Sequence, residues 1–527
     1  MASTVVAPSR QPGPDLRARR GLAAAFAAIL ACAAFMRLFH LEAYAWVPDQ
    51  YERLIEAKAL LAGHLPNSII YPPGASLLVT PSVALLGPTP AAMQTMTAVL
   101  GIALVPLVYV WVIKSTADRA AALALAAACA VAPALVLPAR SGQVDVPVTV
   151  LVVLAFMLVP WLRGRSLHVF FGFGLLLALL FNIRPTAVSV VPSLALYWLA
   201  GLEVALRPKP ALAAVFSKEM MAAALGLSLP CAVSMLGGNW YGGAYGGLLS
   251  FDAFAHNMTY FWDSILLTWF GVVFFLFPAA VGLVYLWQDR RPLALGLGSF
   301  LIVWPASHSP FLFAEARYMA PAVVVLLFLV ACGVSAAVSR RIALPIVGRV
   351  WCAMSLFSLS ALFLLGSGLL LADWHTIASR TSAGAGAQMR PVLQALPSDA
   401  VVISAVTRTF QADGIPVEYV DLFDQSVKFR EREAGVADLD GRTRRAVAAG
   451  RPVYYLYSHM ENDRRLFGGI WGSFHAYFDG LSRGFEMVEL ARVQQGPQGD
   501  EPWILYQLVG PAPGDLPPAA PAEGASP

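Results

Sequence analysis

Met319-Ala-Pro-Ala-Val-Val-Val-Leu-Leu-Phe-Leu-Val-Ala-Cys-Gly-Val-Ser-Ala-Ala-Val338 runs for twenty residues without a charge. A helix needs about 20 apolar residues to cross the hydrocarbon layer, where every backbone polar group must be satisfied inside the helix itself. The stretch therefore reads as a membrane span. Similar runs lie near 21–39, 91–113, 120–138, 146–162, 168–182, 186–202, 219–236, 263–287, 293–307 and 351–372. Together they make about eleven spans on the same length criterion. The composition agrees, since 58% of the 527 residues are hydrophobic and only 13% are charged, as in a polytopic membrane protein.

Orientation follows from the basic residues, because short cytoplasmic loops retain Lys and Arg. Arg10, Arg17, Arg19 and Arg20 lie before the first run. Every second connection after it is basic as well: Lys114 and Arg119, Arg163 and Arg165, Arg207, Lys209 and Lys218, Arg290 and Arg291, then Arg340, Arg341 and Arg349. This alternation predicts a cytoplasmic tail over 1–20, a membrane domain over 21–373 with a long first outer loop over 41–90, and a carboxyl-terminal segment outside. The first run has no convincing small-residue cleavage site and many spans follow it, so it reads as a retained helix. The net charge of +4 reflects the cytoplasmic loops and gives no reason to invoke nucleic acid. All five cysteines lie in apolar runs, so neither a disulfide framework nor a zinc site is indicated.

Beyond the last run the composition changes. Ala378 to Ala387 reads as a hinge, 374–510 as a small extracytoplasmic α/β domain, and 511–527, rich in Pro, Ala and Gly, as a disordered tail. Strand-like runs occur at Ala400–Ser404, Val417–Asp421, Pro452–Tyr457, Phe485–Leu490 and Trp503–Leu508, and helix-like segments at Met389–Leu396, Gly441–Ala449 and Asp463–Leu481.

With this topology the outer rim collects Arg37, His40, Asp49, Glu52, Arg140, Asp145, Arg184, Asp252, His256, Glu315 and Arg317. Ionisable groups at membrane depth are expensive and usually face a cavity or a partner. Each also has a plainer use. Asp49 follows Pro48 at the head of an amphipathic helix and could cap it, as Asp145 could cap the fourth span; Arg317 could reach to lipid head groups. Tyr71-Pro72-Pro73 reads as a rigid turn shaping the loop, and Gly237–Gly247 as an outer loop or an aromatic belt.

Asp49 in a long first loop, Ala59-Leu-Leu-Ala-Gly63, Tyr71-Pro-Pro-Gly74, Ala139-Arg-Ser-Gly-Gln-Val-Asp145 and Ala316-Arg-Tyr-Met-Ala-Pro321 together resemble the GT-C membrane glycosyltransferases. The resemblance is to the branch that holds the protein O-mannosyltransferases, lipid A aminoarabinose transferase and dolichyl-phosphate-mannose-type transferases. It covers the whole chain and implies a multi-pass protein of the bacterial cytoplasmic membrane. The implied reaction is hexosyl or pentosyl transfer, with inversion, from a polyprenyl-phosphate-linked sugar to a lipid, polysaccharide or protein acceptor on the outer face.

An acceptor hydroxyl needs a carboxylate to take its proton, and a departing lipid phosphate needs cationic donors. By analogy Asp49 is the general base, and Gln50 stands where the family commonly has a second acid, which leaves Glu52 as the nearest one. Asp145 matches the family's second outer acid, orienting acceptor or donor, or holding a divalent cation if one is used. Arg184 and Arg317 are the candidates for binding the phosphate, since a guanidinium stays charged and can bond two oxygens at once; Tyr71 and His256 complete the expected substrate-binding set, and Arg37 and Arg140 are lesser candidates for phosphate. Two other classes share this profile. A secondary transporter would show internal repeats and interrupted helices near the midplane, and a polysaccharide polymerase or ligase would use a similar outer cavity with different residues.

Overall fold

The structure is a computed structural model that describes residues 16–39, 41, 48–64, 73–202, 208–236, 252–266, 275–310, 316–339, 341–355, 365, 368, 385–412, 414–422, 425, 432–458, 474–493 and 503–510. The amino-terminal part is helical: α1 (Leu16–Leu38), α2 (Pro48–Leu61), α3 (Pro73–Leu86), α4 (Pro90–Thr116), α5 (Arg119–Val131), α6 (Pro133–Arg140), α7 (Asp145–Leu158), α8 (Leu167–Ile183), α9 (Val190–Gly201), α10 (Pro208–Val215), α11 (Lys218–Leu236), α12 (Asp252–Leu266), α13 (Phe277–Asp289), α14 (Arg291–His308) and α15 (Ala320–Val338). Among the described residues, four helices are long and apolar enough to cross a membrane, or five if the bent pair α5 and α6 is one span. Shorter apolar helices include α3, α8 and Ile346–Ser355. The stretch 41–90, expected as one long loop, thus contains two helices, α2 and α3. At 14 residues, α3 is too short to register as a span by hydropathy.

The stretch quoted first is the centre of the bundle. In the span Arg317–Val338, 94% of the apolar window is buried inside the protein. Lipid tails are as apolar as leucine, so helices in a bilayer associate through close packing at small residues. Two glycine pairs do this here. A Cβ on Gly282 would sit 1.9 Å from the Leu329 carbonyl oxygen and one on Gly333 2.0 Å from that of Pro278, locking α13 to α15; Gly174 and Gly226 make the same kind of contact between α8 and α11.

Two buried arginines secure the carboxyl-terminal end of α1 and the bent pair. Pro133 has no amide to offer the Cys129 carbonyl, and α5 and α6 meet at 48°. Arg37 fills the gap, its guanidinium donating to Ala130 O at 2.7 Å and to Cys129 O at 2.9 Å. In return Arg140, at the end of α6, donates to Met36 O at 2.9 Å and to Phe39 O, capping the end of α1. Both arginines are fully buried. The two lesser phosphate candidates are therefore helix caps, a role fixed by backbone breaks that lie about ninety to a hundred residues away in sequence.

The carboxyl-terminal part holds a five-stranded sheet, β1 (Val401–Ser404), β2 (Glu418–Asp421), β3 (Val453–Tyr457), β4 (Glu486–Val493) and β5 (Trp503–Val509), in the order β2-β1-β3-β5-β4. The first three strands are parallel and the last two antiparallel. All five lie on the apolar runs of the sequence. The helices differ more: 385–394 and 474–484 shift, 432–448 begins nine residues before the expected Gly441, and Thr407–Ala412 was not foreseen. That last short helix packs against α2, so the sheet domain rests on the 41–90 stretch. Residues 378–384 of the expected hinge, and the tail 511–527, lie outside the described residues.

Replacing Arg37 with Met leaves two buried carbonyls without a donor. The expected loss is about 3 kcal/mol of stability, since each bond to a charged donor contributes about 1.5–3 kcal/mol. Thermal unfolding in detergent measures it; an unchanged melting temperature would contradict the capping role.

Candidate active site

Asp145 opens α7 and is 1% exposed. A carboxylate in the first turn of a helix is favoured by the helix dipole, and here two guanidiniums share it as well. Arg184 forms an ion pair with Asp145 Oδ1, and Arg317 Nε lies 3.8 Å from Oδ2. Both arginine side chains are 14% exposed while the aspartate is sealed beneath them. One carboxylate thus faces a guanidinium on each of its two oxygens.

The chain reaches this arrangement through breaks in its helices. Arg184 ends α8 because Pro185 follows it, and a residue before proline is pushed out of the helical region; its φ of −148° and ψ of 112° are extended. Arg317 lies in the short 3-10 turn Ala316–Met319 that enters the buried helix α15. Tyr318, beside it, lies under both cations, with the Arg184 guanidinium 4.0 Å and that of Arg317 5.6 Å from the ring centroid. Such contacts hold a guanidinium in place while leaving its N–H edges for other partners. The Trp304 indole donates to Tyr318 O at 2.9 Å, tying the turn to α14.

His308, at the end of α14, is buried and held at both ring nitrogens. Its Nδ1 lies 2.8 Å from Trp304 O and its Nε2 2.9 Å from the Thr186 hydroxyl. An imidazole whose Nδ1 hydrogen faces a carbonyl presents Nε2 as an acceptor, so Thr186 donates to it. This links α14 to the turn Pro185–Ser189 just after Arg184. Gly74, from the Tyr-Pro-Pro-Gly motif, supports the same region: a Cβ there would lie 2.6 Å from the Asn182 backbone, so α3 crosses α8 two residues before Arg184.

The loop from Arg140 to Asp145 is anchored to α2. Arg53 Nη1 donates to Gly142 O at 3.3 Å, and Gly142 adopts a φ of +69°, which glycine accommodates without steric cost. Further along α2, Glu56 accepts a hydrogen bond from Ser76 of α3. Arg53 and Glu56 are buried and Glu52 is half-buried. Positions 49, 52, 53 and 56 follow the i, i+3, i+4, i+7 spacing of a single helix face, a pattern that could have drawn attention to Arg53 and Glu56 from sequence.

Of the sequence-named residues, Asp145, Arg184 and Arg317 meet. His256, on α12, is exposed and makes no hydrogen bond or ion pair with the described residues. Asp49 lies in the first turn of α2, with its side chain outside the described residues; so do the side chain of Asp252, and His40, Tyr71, Gly237–Gly247 and Glu315 as a whole. Among the described residues no three His, Cys, Asp or Glu side chains gather as a metal site. Asp145, with a guanidinium against each oxygen, does not fit a divalent cation.

No family model matches the chain, and no curated protein matches it in sequence. Solved structures do match. The crystal structure of ArnT from Cupriavidus metallidurans bound to undecaprenyl phosphate superposes with a TM-score of 0.56 at 13% identity, over 93% of this chain and 99% of that one. The same protein in the apo state gives 0.56 and 13%, over 94% and 100%. The chain therefore shares the fold of ArnT over nearly its whole length.

A double-mutant cycle of Asp145→Asn and Arg184→Gln, read by thermal unfolding, is expected to give a coupling of roughly 2–3 kcal/mol, the upper range for contacting charged residues. Additive effects would mean that the pair does not hold the site together.

Proposed function

We propose that this protein is an inverting membrane glycosyltransferase that moves a sugar from a polyprenyl-phosphate carrier to an acceptor hydroxyl at the outer face of the cytoplasmic membrane, with the amino terminus on the cytoplasmic side. The observation that carries this reading is the meeting of Asp145, Arg184 and Arg317 from three separate elements, in a fold shared with a protein solved with undecaprenyl phosphate bound.

In this reading the acceptor oxygen attacks the anomeric carbon from the face opposite the carrier. The bond from that carbon to the phosphate oxygen breaks, and its electron pair leaves on the polyprenyl phosphate. The acceptor's proton passes to Asp49. Arg184 and Arg317 bind the phosphate before the reaction and stabilise the charge that grows on the departing oxygen. Tyr318 and the buried Asp145 keep the two guanidiniums from turning away. Asp145 acts as the anchor of the phosphate site, with a guanidinium against each of its oxygens. Asp49 is assigned as base by its place on α2, one turn before Arg53, whose bond to Gly142 O ties that helix to the loop carrying Asp145. Glu52, on the same face, is the nearest second acid and is assigned to the acceptor.

Transfer from a radiolabelled polyprenyl-phosphate sugar in proteoliposomes tests the assignment. Asp49→Asn is expected to lower turnover by about 10²-fold or more, the usual contribution of a general base. Arg317→Gln is expected to lower it by about 10²-fold, as for loss of one oxyanion donor. Full activity of Asp49→Asn, with unchanged expression and melting temperature, would remove Asp49 from the mechanism.

A further inference from the structure

Among the described residues His308 is the one buried histidine, 1% exposed at the end of α14. A histidine at membrane depth is costly, and apolar helices do not need one in order to pack. The helices α9 and α14 already meet closely at Gly296, where a Cβ would lie 2.7 Å from the Tyr197 Cβ. An imidazole that only joined the two would add little. What sets His308 apart is where its contacts fall.

Two of them fall on the two supports of Arg184. The Thr186 hydroxyl, two residues after Arg184, donates to Nε2 at 2.9 Å. The Tyr318 ring, on which the Arg184 guanidinium lies, is 6.1 Å from the imidazole between centroids. The Arg184 backbone is held on both sides as well, its amide donating to Leu180 O at 3.0 Å and its carbonyl accepting from the Ala187 amide at 3.0 Å. The imidazole itself is fixed. Its Nδ1 faces Trp304 O at 2.8 Å and the Ser307 hydroxyl at 3.1 Å, and its ring lies 4.7 Å from that of Trp304. The next residue, Ser309, accepts at its carbonyl from Asn257 of α12 at 2.9 Å.

This rigidity has a use at Arg184. Its guanidinium is paired with the buried Asp145, and opposite charges in contact attract strongly where the dielectric is low. An arginine on a yielding backbone would follow that attraction and close on the carboxylate. We propose that His308 is a positioning residue for the carrier phosphate, acting through Thr186 and Tyr318 to hold Arg184 at the angle at which its guanidinium meets the phosphate as well as Asp145. The inference rests on the assignment of Arg184 to the phosphate. In this role His308 neither touches the carrier nor moves a proton, and it works as the neutral tautomer with its hydrogen on Nδ1.

Titration of the full chain in detergent with radiolabelled undecaprenyl phosphate tests this without turnover. His308→Phe is expected to weaken binding about fivefold to tenfold, as for loss of one buried hydrogen bond, and Thr186→Val to weaken it alike. His308→Gln, whose amide oxygen takes the place of Nε2 as acceptor, is expected to restore most of the affinity. Neither His308→Phe nor Thr186→Val is expected to weaken binding further once Arg184 is Gln, because residues that act through one another are not additive. If His308→Phe does not fold, Thr186→Val, which keeps the shape of its side chain, carries the test. Full affinity in His308→Phe and Thr186→Val, with Arg184→Gln weakened, would overturn this inference alone; full affinity in Arg184→Gln would remove the phosphate assignment beneath it. A loss in His308→Gln as large as in His308→Phe, or a full further loss on the Arg184→Gln background, would mean a histidine that only supports the fold and would overturn the proposal.

Discussion

Asp145 is a carboxylate withdrawn from water at the head of a buried helix, and its two arginine neighbours make that position tolerable. Burying an isolated ion costs several kcal/mol even after relaxation, and a pair recovers the cost only with good geometry. Here one carboxylate meets two guanidiniums, one from the end of α8 and one from the turn before α15. The aspartate fixes where the positive charge stands, and the arginines present it.

Much of the remaining architecture keeps that cluster in register. The glycine contacts of α13 with α15 hold the helix that Arg317 leads into. The His308 and Thr186 hydrogen bond ties α14 to the turn after Arg184, and the Trp304 indole ties α14 to Tyr318. On the other side, Arg53 and Gly142 join α2 to the loop before Asp145. The exchange of caps between Arg37 and Arg140 then fixes the helix ends from which that loop departs. Apart from the glycine contacts, each link is a hydrogen bond between separate elements, as suits a bundle that gains little from hydrophobic association within lipid.

The membrane character and the five strands were legible because they depend on local pattern: long apolar runs for one, short β-branched and aromatic runs for the other. Asp145, Arg184 and Arg317 were legible because a charge beside an apolar run stands out. Their meeting was not, since it depends on how α7, α8 and the Ala316–Met319 turn pack together. Arg37 and Arg140 looked like the same kind of residue and proved to be caps, because the carbonyls they serve are exposed only by a helix break at Pro133 and a helix end near Phe39. The helix α3 was read as loop because 14 residues are too few to span a bilayer, although they suffice to pack beside α2 and α8.

The most direct test is a density map of the protein with undecaprenyl phosphate bound. The account predicts the phosphate within hydrogen-bonding distance of the Arg184 and Arg317 guanidiniums, with Asp145 still buried beneath them. A phosphate seated elsewhere, with those two arginines still turned onto Asp145 alone, would contradict it.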